Sequence, residues 1–183
     1  MINPDSQPGR INNINNIKKT FDKYRIDMAA LSQTRVPKFG TLECENYHVL
    51  YSGKERIKAA GVALALRGVA NKCLLDWEPV NDRILRARFA TTYAKTTCIA
   101  VYAPTNESCE SYKDTFYQSL NDVTNKIRIH DILVVCGDFN AKVGCHQDYA
   151  PTVIGSHGLG EVSKNGMRLI DFCVTNYMIV GGT

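Results

Sequence analysis

The chain has no Cys-x-x-Cys pair, no basic start followed by an apolar stretch, and no apolar run near the roughly 20 residues that span a bilayer. Seven cysteines in 183 residues, an odd number at scattered spacings, argue against both a disulfide framework and a zinc site. They fit reduced thiols in an intracellular chain, cytoplasmic or nuclear rather than secreted. Six prolines and 13 glycines are too few for a collagenous or low-complexity chain, and there is no internal repeat or linker-like tract. What is present, 44% hydrophobic and 22% charged residues, suffices for one folded domain.

The net charge of +4 is unevenly placed. Residues 1–100 hold 16 Lys and Arg against 9 Asp and Glu, a net +7, whereas residues 101–183 hold 6 against 9, a net −3. A basic half suits a polyanion and an acidic half suits a metal or a general base. Charge alone favours the plainer reading of an unevenly sampled, solvated surface.

Periodicity gives a mixture of strands and helices, hence an α/β or α+β sheet protein. Ile14, Ile17, Phe21 and Tyr24 recur at helical spacing and predict an amphipathic helix over about residues 11–24. Strands are predicted at 26–31, 47–51, 61–66, 84–91 and 96–102. In 84–91, Leu85, Ala87 and Phe89 alternate with Arg86 and Arg88 and predict a half-buried strand. Tyr112, Phe116, Leu120, Val123 and Ile127 mark one face of a second helix. The apolar run Ile132 to Cys136 reads as a central strand covered on both faces. A glycine-rich loop over about 141–164 should lead to a third helix near 166–176, capped by Asn165, and Met178 to Val180 should begin another strand.

Three of these strands end in polar groups. Gly137-Asp138-Phe139-Asn140 closes one of them. In an extended backbone Asp138 and Asn140 share a face, where a carboxylate orients water and an amide donates to a phosphoryl oxygen. Alone, the tetrapeptide is an ordinary turn. Tyr102-Ala103-Pro104-Thr105 ends a second strand, and the tyrosine hydroxyl there either meets a phosphate oxygen or is merely the wet tip of a core aromatic. Leu31-Ser32-Gln33-Thr34-Arg35 ends a third.

In their order and spacing, these segments resemble the endonuclease/exonuclease/phosphatase family, which includes apurinic DNA-repair endonucleases and the endonuclease domains of non-LTR retrotransposons. Within it, the chain resembles the craniofacial development protein 2-like group. The resemblance runs over about residues 20–183 and is carried by Ile26 to Arg35, Asn81-Asp82-Arg83, Tyr102 to Thr105, Gly137 to Asn140, His157 to Gly160, and Asn165-Gly166 through Leu169 to Cys173.

The resemblance implies a four-layered sandwich of two β-sheets flanked by helices, an α/β (α+β) fold with its site on one rim. It implies Mg²⁺ or Mn²⁺ chemistry on DNA, with Asp138 orienting water, Asn140 and Tyr102 donating to phosphate, and Arg35 and Lys38 among the backbone contacts. Lys54, Arg56 and Lys58 extend that basic surface. A reverse transcriptase is the implied partner in a parent element, and no membrane is implied.

The sequence also departs from the pattern. Gln33 stands where the family has its metal-binding Glu, and a neutral amide is a poor ligand for a hard cation. Asn12, Asn13, Asn15 and Asn16 do not supply the family's amino-terminal Asn, and His48, His130, His146 and His157 do not stand where its catalytic His does. The expectation is therefore a single, incomplete domain over 1–183, truncated at both ends, with impaired hydrolysis and apolar sheet faces uncovered. The alternative is a non-catalytic module of the same fold that binds nucleic acid or protein. A phosphatase of small phosphoesters ranks below both.

Overall fold

The computed structural model describes residues 20–44, 46–56, 60–145 and 150–183. Two four-stranded sheets face one another. The first, in the order β1-β4-β3-β2, is antiparallel and contains β1 (Met28–Ser32), β2 (Phe39–Cys44), β3 (Tyr47–Ser52) and β4 (Val62–Arg67). The second, in the order β5-β6-β7-β8, contains β5 (Leu74–Asn81), β6 (Ile84–Ala90), β7 (Lys95–Tyr102) and β8 (Ile132–Asp138). β7 and β8 are parallel, and the connection between them holds helix α2 (Glu110–Thr124). A short helix α1 (Gly68–Lys72) follows β4, and α3 (Lys164–Thr175) follows the glycine-rich loop.

Strand alternation builds the layers. Val62, Leu64 and Leu66 of β4 point into the space between the sheets and meet Leu85, Ala87 and Phe89 of β6 and Cys98 and Ala100 of β7. The intervening Ile99 and Val101 face outward, under Phe116 and Leu120 of α2 and Ile170 and Phe172 of α3. On the other outer face, Ala65 and Tyr47 pack against Phe21, within a helical turn at residues 20–24. Each fully buried leucine in these clusters contributes about 1.5–3 kcal/mol relative to exposure. Three apolar clusters between four layers give the flanked two-sheet sandwich.

The alternation of β6 matches expectation. Its outward arginines end in ion pairs, Arg86 with Asp76 and Glu78, and Arg88 with Asp131. Other expectations are corrected. β8 is an edge strand of its sheet, with Ile132 54% and Val134 40% exposed. An apolar run reports affinity for a covered position, and β8 pairs on one side only. The segment at Met178 to Val180 is not a strand: the Met178 N–H closes the end of α3 on the Cys173 carbonyl, and the Val180 N–H reaches Val153 instead of a ladder. The helix at 110–124 buries Lys113 and Tyr117 beside Phe116, Leu120 and Val123, while Tyr112 is 40% exposed and Ile127 lies past its end. β2, β5 and α1 carry little periodic signal and were not predicted. The helix predicted from residue 11 is described only from residue 20, where Tyr24 is exposed; the four early asparagines, Lys58 and His146 lie outside the described residues. All seven cysteines are free thiols.

Candidate functional site on the sheet rim

A thread of hydrogen bonds gathers the strand ends of both sheets on one rim. The Thr34 N–H donates to the Gly61 carbonyl at 3.1 Å, and the Gly61 N–H donates to the Asp82 carbonyl, in the β5–β6 hairpin, at 3.0 Å. Gly61 is left-handed at φ +94°, and a Cβ there would stand 2.5 Å from Thr34 Oγ1, so the crossing between sheets needs a glycine. Asn81 Oδ1 accepts from the Arg83 N–H at 2.8 Å and shapes that hairpin. The Arg83 carbonyl then accepts from the Tyr102 N–H at 2.9 Å.

Tyr102 and Asp138 are partners in the β7–β8 register, and the Ala103 N–H donates to the Asp138 carbonyl at 2.8 Å. The structure thus brings Tyr102, Asp138 and Asn140 together, although by a different route from an extended strand. Asn140 is left-handed at φ 47°; its N–H donates to Asp138 Oδ1 at 2.9 Å, and its Nδ2 donates to the Ala103 carbonyl at 2.9 Å. The tetrapeptide thus forms the turn its composition allows, and that turn sets the two side chains side by side. Asp138 is exposed, with one oxygen oriented by the turn. Tyr102 is partly exposed, and its hydroxyl makes no hydrogen bond among the described residues.

Gln33, Arg35 and Lys38 belong to the facing sheet. They follow β1, which lies against β7 and β8, and all three are exposed. Their backbones are left-handed as well, with φ of 55°, 53° and 64°. Each such non-glycine residue costs roughly 1 kcal/mol, and the loop holds them by main-chain bonds, Arg35 N–H to Ala60 and Gly53 N–H to the Lys38 carbonyl. Four of the seven non-glycine residues with positive φ among those described are candidate site residues, a concentration typical of functional loops.

Sequence reasoning missed two residues that organise this rim. Asn165 is not the cap of α3; Ser163 is, its side chain accepting from the Gly166 N–H. Asn165 is instead 2% exposed, its Nδ2 donating to the carbonyls of Pro104 at 2.9 Å and Asn140 at 3.0 Å, and its N–H donating to Asn106 Oδ1. Lys113, 1% exposed, holds the Asn106 carbonyl from below at 2.6 Å and pairs with Glu110. Arg168 of α3, and then Lys113, keep the Glu110 carboxyl below its ordinary range, fastening α3 to α2. The second missed residue is Arg83. Its Nε donates to the Tyr112 hydroxyl at 2.7 Å, its Nη1 to the Tyr102 carbonyl at 2.8 Å, and its guanidinium lies 4.9 Å and 5.1 Å from the two ring centres. An Asn before a glycine invited a cap assignment, and an Arg in a turn carried no signal beyond its place in the Asn81-Asp82-Arg83 motif.

The donors on this rim do not fit a hard divalent cation. Asp138 is the one carboxylate among the residues assigned here, Gln33 brings no charge, and no group of three or more His, Cys, Asp or Glu is disposed to hold a metal among the described residues. Mg²⁺ is usually held by one or two carboxylates with substrate phosphates. Among the described residues no helix is long and apolar enough to cross a membrane.

Comparison with known proteins agrees with the architecture. No family model matches the chain. It is 32% identical over 170 residues to craniofacial development protein 2 of Tragulus javanicus, covering 91% of this chain and 29% of that protein. The corresponding protein of Bos taurus is 31% identical over 170 residues, covering 91% and 28%. The chain thus spans under a third of the length of these curated relatives. Among solved structures, the endonuclease domain of TRAS1, a telomere-specific non-LTR retrotransposon, superposes with a TM-score of 0.57 at 14% identity, covering 87% of this chain and 63% of that one.

Proposed function

With an endonuclease/exonuclease/phosphatase-like fold as the premise, we propose that this chain is a nucleic-acid phosphodiester domain of endonuclease type whose own hydrolytic step is impaired. The observation that carries the reading is the rim itself: Tyr102 and Asp138 are register partners, and Asn140 is tied to them by its bonds to Asp138 Oδ1 and the Ala103 carbonyl; Gln33, which follows β1 on the facing sheet, brings a neutral amide where the family has a carboxylate. Asp138 would orient the attacking water. Tyr102 and the second Nδ2 hydrogen of Asn140 would donate to phosphate oxygens, and Arg35 and Lys38 would meet the flanking DNA backbone. In the family a bound Mg²⁺ or Mn²⁺ neutralises the phosphate; the donors on this rim support only weak binding of such an ion. In a longer protein of retroelement origin, a reverse transcriptase would act beside this domain.

The second reading, a module that binds nucleic acid without cutting it, is favoured by the same shortage of carboxylates. Supercoiled plasmid with Mg²⁺ and with Mn²⁺ separates the two. The expected result is salt-dependent binding with little nicking, nicking gained in Gln33→Glu and abolished by adding Asp138→Ala. Strong nicking by the unaltered chain that Asp138→Ala removes would refute the impairment; failure to bind DNA at low salt would refute the nucleic-acid reading.

A further inference from the structure

We propose that Arg83 is a phosphodiester-anchoring residue, its guanidinium fixed between the rings of Tyr102 and Tyr112 and presenting its remaining N–H groups to an anionic phosphate at the rim. This assignment rests on the phosphodiester reading above and adds to it the cation that the metal donors fail to supply.

A guanidinium carries five N–H groups. In Arg83 one hydrogen on Nε goes to the Tyr112 hydroxyl and one on Nη1 goes to the Tyr102 carbonyl, leaving three, both on Nη2 among them, without a partner among the described residues. No carboxylate pairs with it among the described residues, in contrast to Arg67, Arg86, Arg88 and Arg168, which all end on Asp or Glu. Two rings and two hydrogen bonds have already immobilised the side chain, so a ligand that binds it meets little further loss of rotamer freedom. The Tyr112 hydroxyl, accepting from Nε, keeps its own proton to give. Arg83 is only partly buried, and its main chain is bonded directly to Tyr102, the register partner of Asp138. A phosphodiester monoanion, with two non-bridging oxygens, matches a planar fork of N–H donors better than a point charge does.

A purely structural Arg83 would act only as glue between hairpin and helix, and two measurements distinguish the roles. The first follows the Arg83 Nε–Hε resonance in ¹⁵N–¹H spectra during titration with diethyl phosphate. A saturable shift is expected, and its absence overturns the proposal. The second measures fluorescence anisotropy of a short labelled DNA duplex in EDTA, at several salt concentrations. Arg83→Met keeps the apolar stem and should weaken binding about tenfold and lower the salt slope by about 1. Arg83→Lys keeps the charge without the fork and should retain the slope while losing affinity; it also serves if the Met variant fails to fold. Unchanged affinity and slope in a folded variant overturn the anchor while leaving DNA binding intact. A chain that shifts with diethyl phosphate yet ignores DNA retains the anchor and loses the nucleic-acid reading.

Discussion

Replacing Asn165 by Ala tests whether the rim is held from beneath. The side chain is 2% exposed and its Nδ2 satisfies two carbonyls, those of Pro104 and Asn140, on segments that leave β7 and β8. Alanine removes both bonds and leaves two acceptors with little access to water, at about 1–3 kcal/mol each. Part is recovered, because Asn165 Oδ1 is itself buried without a partner and vanishes with the substitution, a relief of about 1 kcal/mol. The net loss is therefore about 1–5 kcal/mol. With a urea dependence near 2 kcal/mol per molar, typical for this size, the midpoint should fall by about 0.5–2.5 M at unchanged slope. The assay is equilibrium urea unfolding followed by tryptophan fluorescence and circular dichroism. A midpoint shift within error would refute the account.

Gln33→Glu should tighten Mn²⁺ binding several-fold, read by electron paramagnetic resonance of the free ion, and equal affinity in both forms would show that the loop after β1 does not address the metal position. The Asp131 carboxyl is pulled down to about 2 by the Arg88 guanidinium, with a further bond from Thr97. Because its folded value lies below its unfolded one, its contribution is present above about pH 4 and is lost as pH falls toward 2; Asp131→Asn should flatten stability against pH in that window, and an unchanged acid limb would count against it. Gly137→Ala should be severely destabilising, since φ is +137° and a Cβ would overlap the Val101 carbonyl oxygen; a midpoint within 0.5 M of the unaltered chain, about 1 kcal/mol at the same slope, would contradict the described β7–β8 ladder.

Much of the sandwich was legible because alternation and helical spacing report which residues meet apolar neighbours. β4 and β7 alternate between two covered faces and β6 between the core and a face of paired arginines, and their limits fall within a residue or so of the periodic segments. Lateral position is another matter. Ile132 to Cys136 has the composition of a central strand, yet whether a strand gains a second neighbour depends on chain segments far away in sequence. β5, with Asp76, Glu78 and Pro79, was missed because as an edge strand it needs no apolar outer face, and Asp76 and Glu78 instead answer Arg86 across the hairpin. At the site, Tyr102, Asp138 and Asn140 announced themselves as polar residues ending apolar strands. Arg83 and Asn165 did not, because what they do depends on carbonyls of the 102–106 and 140 segments that have no signature in sequence.

The link from Thr34 through Gly61 to Asp82 is made by main-chain atoms. Substituting the exposed side chains beside it, such as Gln33 and Arg35, therefore changes what the rim touches while leaving this link between its halves in place. An exposed residue such as Gln33 can therefore be exchanged by one codon change while the main-chain frame beside it stays in place.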